Sequence, residues 1–179
     1  MISIRSAAQS TAGATLDQPL DHLSACHRRI EQRLDTLERV VPVLWERREE
    51  ALQALHNAFA FLDGNGVLHT EDEEASLFPR LQPKLQAGQA AFVASLEADH
   101  QAAHKLYAAL RDVVAKIEAA PLFDASLAAE YETLVSRFCA LYRRHIQAED
   151  SQLIDISRAL LTDEELAQIS SEMKARRAL

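Results

Sequence analysis

Four stretches of this chain carry apolar residues in steps of three and four, the spacing that keeps one face of an α-helix turned to a common interior. The first stripe runs Leu20, Leu23, His27, Ile30, Leu34, Leu37 and Val41, and Pro42 should stop or kink that helix. The second runs Leu52, Leu55, Phe59 and Leu62, meets DGNG at 63–66, and resumes through His69, Glu73, Leu77 and Leu81; a break or kink is expected at the two glycines. Gly88 marks the next turn, after which Val93, Leu96, His100, Ala103, Tyr107, Leu110, Val114 and Ile117 form the third stripe. Pro121 and Asp124 lead into the fourth: Val135, Phe138, Tyr142, His145, Glu149, Leu153 and Ile156. A short tail helix is expected from Thr162, where Thr162 and Glu165 fit a capping box. With only 4 Gly and 5 Pro in 179 residues, good helix formers dominate. The pattern predicts an all-α, up-down-up-down four-helix bundle with a flexible arm over 1–17, one domain over 18–179, and a short C-terminal helix.

Charge and composition exclude several roles. The net charge is −8, from 19 basic and 27 acidic residues, and no basic stripe gathers, which argues against nucleic acid or an anionic membrane as partner. The opening MISIRSAAQSTAGATLDQ has no apolar core of a signal peptide, and no run approaches 18 apolar residues, so a cytoplasmic setting is expected. Two cysteines, Cys26 and Cys139, make neither a disulfide framework nor a zinc knuckle and read as half-buried thiols.

Each apolar stripe also carries a histidine, and three carry a second donor four residues on: His69 with Glu73, His100 with His104, His145 with Glu149. Residues four apart sit one turn above each other, so each pair can aim at one place. In an antiparallel bundle, ligands share a height only if the turn between two helices lies midway between them. The midpoint of His69 and His100 is 84.5, near Gly88, and that of His104 and His145 is 124.5, in the Pro121–Ser126 loop. His27 and His69 give 48, a few residues past Pro42. One layer of histidines is therefore predicted.

The remaining candidates separate by angle and distance. His22 lies about 140° around the helix from His27, and His56 is about 20 Å from His69 along a helix. Glu31 follows His27 by four, but Ile30 and Leu34 already continue that stripe. Glu71, Asp72 and Glu74 read as a solvated acidic face, with support of a ligand from behind as the alternative for Glu74. In the fourth helix both Glu149 and Asp150 compete; Glu149 stays within about 40° of His145, while the two face about 100° apart. Five imidazoles and two bridging carboxylates supply nine donor atoms, more than the roughly six one ion accepts, so two ions are implied, and this donor set suits iron better than manganese or zinc.

The segments around these residues resemble the hemerythrin-like, or HHE cation-binding, family of four-helix non-haem iron proteins. ACHRRIEQRL resembles the family's first histidine segment, LHTEDEEASLFPRL the second, and EADHQAAHKLY and YRRHIQAED the third and fourth. The resemblance implies a bridged di-iron centre on His27, His69, Glu73, His100, His104, His145 and Glu149, binding dioxygen or another small diatomic ligand, with the bacterial type of helix-four glutamate. Oxygen-carrying members place an aspartate where Asp150 stands, so Asp150 stays beside Glu149 as an alternative. Tyr142, one turn before His145, is a candidate wall of the ligand pocket, or else a core aromatic. Carriage, sensing or storage of a gas is the first reading. An enzyme acting on peroxide or nitric oxide, or iron storage and delivery for repair of iron centres, is the alternative.

Overall fold

A computed structural model describes residues 16–178, in which the four stripes become four rods. The arm over 1–17 falls almost wholly outside the described residues; Leu16 and Asp17 form a turn. The first rod is α1 (Pro19–Val40), with proline at its opening, and it tightens into a 3-10 turn Val41–Val43 at Pro42. The second rod joins α2 (Arg48–Phe61), α3 (Val67–Asp72) and α4 (Phe78–Leu81) through π-helical turns at Leu62–Gly66 and Glu73–Leu77. The third is the single helix α5 (Ala87–Ala119), about 50 Å long at ~1.5 Å per residue. The fourth is α6 (Ala125–Ala148), a π turn Glu149–Leu153 and α7 (Ile154–Leu160), and the chain closes with α8 (Asp163–Arg176). This is an all-α bundle, with no strand among the described residues.

The boundaries follow local chemistry. Asp124 caps α6 by accepting from Ser126 N at 2.8 Å and Leu127 N at 3.2 Å. Thr162 and Glu165 make both bonds of the expected capping box on α8. Two expectations change. DGNG does not break the second rod: Gly66 holds helical φ −65 and ψ −46, and the backbone widens by one residue instead. Gly88 is not the turn either; Gln86 and Gln89 form the cap, and Gly88 lies within the first turn of α5.

The π turns have a sequence origin. Four α-helical residues overshoot a full revolution by about 40°, so repeated steps of four drift off the core face. His69, Glu73, Leu77 and Leu81 make three such steps, and His145, Glu149 and Leu153 make two, yet all are buried. An i→i+5 turn takes more residues per revolution and rotates the stripe back. Both Glu73 and Glu149 stand at the first position of such a turn.

The interior is divided. One apolar cluster includes Ile30, Leu34, Leu55, Phe59, Leu110, Val135 and Phe138; the other includes Leu20, Leu23, Leu77, Leu81, Val93, Leu96, Leu153 and Met173. Along every rod the two clusters are separated by the histidine layer. Cys26 and Cys139 are fully rather than half buried, because both belong to the first cluster, and burial pushes their thiols up to about 11 and about 12. Among the described residues no helix is long and apolar enough to cross a membrane.

The tail helix is tied to the second rod by charge. Asp72, only 1% exposed, accepts from Arg176 Nη1 at 2.7 Å and from Arg177 Nη1 and Nη2 at 3.1 and 2.7 Å. Ser76 donates to Glu172 at 2.5 Å, and Arg80 pairs with the same carboxylate at 2.7 Å. α8 therefore straddles the π turn that begins at Glu73.

Candidate metal centre

Six side chains converge between the two apolar clusters: His27 from α1, His69 from α3, Glu73 from the second rod's π turn, His100 from α5, His145 from α6, and Glu149 from the fourth rod's π turn. All are buried. They form two overlapping groups, each with donor atoms within 4.8 Å of one another: His27, His69, Glu73 and Glu149, then Glu73, His100, His145 and Glu149. The two carboxylates are common to both groups.

The atom-level distances show how they are shared. Glu73 turns Oε1 toward His69 Nε2 (3.5 Å) and His27 Nε2 (4.0 Å), and Oε2 toward His100 Nε2 (3.4 Å). Glu149 turns Oε2 toward His27 Nε2 and Oε1 toward His145 Nε2, each at 3.0 Å. Each carboxylate thus spans the two groups, one oxygen to each, and all four histidines present Nε2.

These contacts are not ordinary hydrogen bonds. His27 Nε2, His69 Nε2, and both oxygens of Glu73 and Glu149 are buried with no aligned hydrogen-bond partner. Buried polar atoms of this kind are costly and rare. Donors held about 2.1 Å from a shared cation at right angles would themselves stand roughly 3 Å apart, which matches the shorter spacings here. The donor set of each group fits a metal ion.

Outward-facing atoms orient the rings. His27 Nδ1 donates to Asp150 Oδ1 at 2.8 Å, and Ser24 Oγ donates to the same oxygen at 3.0 Å. His100 Nδ1 donates to Glu74 Oε1 at 2.9 Å. A proton kept on Nδ1 leaves the Nε2 lone pair free for a metal, the usual function of a carboxylate behind a ligating histidine. Asp99 Oδ2 lies 3.8 Å from His145 Nδ1, too far for a direct bond.

Without a cation, the groups pull protons in opposite directions. Burial holds His69 well below its usual range. His27 rises to about 10: burial opposes this, but the hydrogen bond to Asp150 and the negative charge of Glu149 beside the ring outweigh it. Burial and the neighbouring Glu149 raise Glu73 to about 7, whereas Glu149 is lowered because His145 and His27 overcome its burial. The layer is a cluster of mutually dependent charges, which a bound cation would relieve.

The predicted residues sort as follows. His27, His69, Glu73, His100, His145 and Glu149 are brought together. His104 is not: it is exposed and belongs to neither group. α5 has no widened turn, so its stripe passes from His100 to Ala103 and leaves His104 on the solvent side. The imidazole count is therefore four. Between the helix-four carboxylates, Glu149 faces the cluster, while Asp150 is 42% exposed and serves His27 from behind. Glu74 takes its alternative role and supports His100, and Glu31 instead pairs with Arg143 at 3.2 Å. Tyr142 packs against His145 with ring centroids 6.1 Å apart. Asp72 does not belong to a solvated acidic face: it is buried and clamped by Arg176 and Arg177, more than 100 positions away, a pairing with no local signal in the sequence.

Comparison with known proteins agrees with this architecture. The family model described as hemerythrin HHE cation binding domain matches residues 18–156, which includes all six converging side chains and excludes α8. No curated protein matches the chain.

Proposed function

The chain belongs to the hemerythrin HHE cation-binding domain family, and on that premise we propose that it is a di-iron protein binding dioxygen or another small diatomic ligand, in a cytoplasmic setting. The observation carrying this reading is the sharing of Glu73 and Glu149 between two buried groups, one oxygen of each carboxylate per group. In this reading His27 and His69 would hold one ion and His100 and His145 the other, with Glu73 and Glu149 available to both.

The protein supplies eight donor atoms, four imidazole nitrogens and four carboxylate oxygens. Two ions accepting about six donors each would keep positions free for an external ligand. Imidazole and carboxylate without thiolate favour iron over softer metals, with manganese or zinc fitting less well. The chemistry supplied by an iron pair, when bound, is reversible electron donation to a diatomic ligand.

The remaining work falls to the chain itself. Asp150 and Glu74 fix the tautomers of His27 and His100. Leu23, Leu77, Leu96 and Leu153 on one side, with Ile30, Leu34 and Leu110 on the other, keep bulk water from the layer. A dry surround strengthens the attraction between the carboxylates and the cations.

An enzyme acting on peroxide or nitric oxide is the second reading, favoured by a solvent-open cavity beside His100 and Tyr142. One experiment separates the two. The protein is prepared reduced and oxygen-free, its iron per chain is assayed, and air is admitted while the visible spectrum is followed. A coloured adduct that bleaches on degassing supports carriage; irreversible oxidation with peroxide turnover supports the enzyme. Fewer than two metal ions per chain would overturn the di-iron reading.

A further inference from the structure

Asp72, Ser76, Arg80 and Lys84 follow one another in steps of four along the second rod, and the first three stand immediately before Glu73, Leu77 and Leu81 of the buried stripe. All four bond to the closing segment of the chain. Beyond the Asp72 clamp, Ser76 Oγ accepts from Arg176 while donating to Glu172 Oε2 at 2.5 Å. Arg80 Nη2 donates to Glu172 Oε1 at 2.7 Å and to Gln168 Oε1 at 3.4 Å. Lys84 Nζ donates to Glu165 Oε1 at 2.7 Å and to the Leu160 carbonyl at 3.0 Å. The result is a polar zipper between α8 and the rod that carries His69 and Glu73.

The apolar side of α8 closes the same half of the centre. Ile169 and Met173 are fully buried in the cluster that holds Leu23, one turn before His27, and Leu77, one turn after Glu73. α8 packs on α1, on α3 and on the π turn at Glu73, the three elements that supply His27, His69 and Glu73. His27 and His69 are 1% and 2% exposed, whereas His100, at 8%, borders the surface cavity. The two halves of the centre match in donor type but differ in what covers them.

α8 is also built to come away as a unit. Its 14 residues are a marginal length for an isolated helix in water, and only Ile169, Ser170 and Met173 of them are buried. Elements with few apolar anchors open at a lower free energy than the core. Opening uncovers the Asp72 carboxylate, next to Glu73 in the chain, and so sets a negative charge where a cation would pass. We propose that α8 is a latch on the His27–His69 half of the metal centre, and that its detachment from the second rod is the step by which the cation of that half enters and leaves. This rests on the metal-pair reading above.

The test uses the full chain loaded with ferrous iron, without oxygen, mixed with excess colorimetric chelator while iron release is followed in time. The parent should lose its two ions in two phases. Arg176→Ala with Arg177→Ala should speed one phase about tenfold or more and leave the other within about threefold, because both arginines hold only the second rod. Glu172→Gln keeps the side chain's size but weakens the pairing with Arg80, so it should speed the same phase by a smaller factor, and it serves even if the double variant does not fold. Leu55→Ala controls for overall stability: Leu55 is fully buried in the other apolar cluster, about 20 Å along the rod from His69, and its loss should leave both phases within about threefold. Release of both ions in one phase, unchanged release in both α8 variants, equal speeding of both phases, or equal speeding by Leu55→Ala would overturn the latch while the metal-pair reading stands. A parent that retains fewer than two ions removes the metal-pair reading, and the latch with it.

Discussion

Removing both guanidinium groups that clamp Asp72 tests whether α8, which lies beyond the matched family segment, holds the site together. In the double variant Arg176→Ala, Arg177→Ala, Asp72 loses three charge-assisted hydrogen bonds of 2.7, 3.1 and 2.7 Å. Asp72 is 1% exposed and cannot exchange them fully for water. Stripping the partners from a buried charge costs about 3–5 kcal/mol. For a domain of this size each kcal/mol corresponds to about 2–4 °C, so a Tm decrease of roughly 6–20 °C is expected. Urea unfolding of the metal-free protein, followed by circular dichroism, gives the free energy directly. Adding Asp72→Asn removes the stranded charge and should restore at least half of the loss in a double-mutant cycle. A double-arginine variant within about 1 kcal/mol of the parent would refute the clamp.

Three further outcomes are expected. His104→Ala should retain two metal ions per chain by elemental analysis, whereas His69→Ala and Glu149→Ala should retain fewer, since only the latter two belong to the converging groups. Asp150→Ala should keep the parent stoichiometry but bind metal about 10–100-fold more weakly in a chelator competition, because His27 loses its tautomer-fixing acceptor. Cys26 and Cys139, with thiols pushed up to about 11 and about 12, should resist iodoacetamide at pH 8 in the native protein and react once unfolded. The same shifts work against stability in alkali. The unfolded chain releases these protons near pH 9 and the native one does not, so the thiols' contribution is complete below about 9 and declines as pH rises through 11 and 12.

The four rods and the height of the histidine layer were legible from residue order alone. Helical periodicity and hairpin midpoints are one-dimensional quantities: the stripes of Leu20 to Val41 and Val93 to Ile117 needed no knowledge of neighbours. Two of the π turns were also written in the sequence, as consecutive steps of four from His69 and His145, although both were read there as unbroken stripes, and the turn at Leu62–Gly66 was read as a break or kink at the glycines. His104 shows the limit of spacing rules. At 40° from His100 it was within range of the centre, and only the straightness of α5 with Ala103 on the packed face turned it to solvent. Glu149 was already favoured over Asp150 by its angle to His145, and the structure adds what the sequence did not show, that Asp150 serves His27 from behind. The cavity beside His100 and the Asp72 clamp depend wholly on tertiary structure. One is the space left between three rods, and the other joins residues over 100 positions apart, so neither has any local signature in the chain. Chain order determines what each helix presents and at what height; packing decides which of two adjacent donors faces inward, because that depends on the last few tens of degrees of rotation.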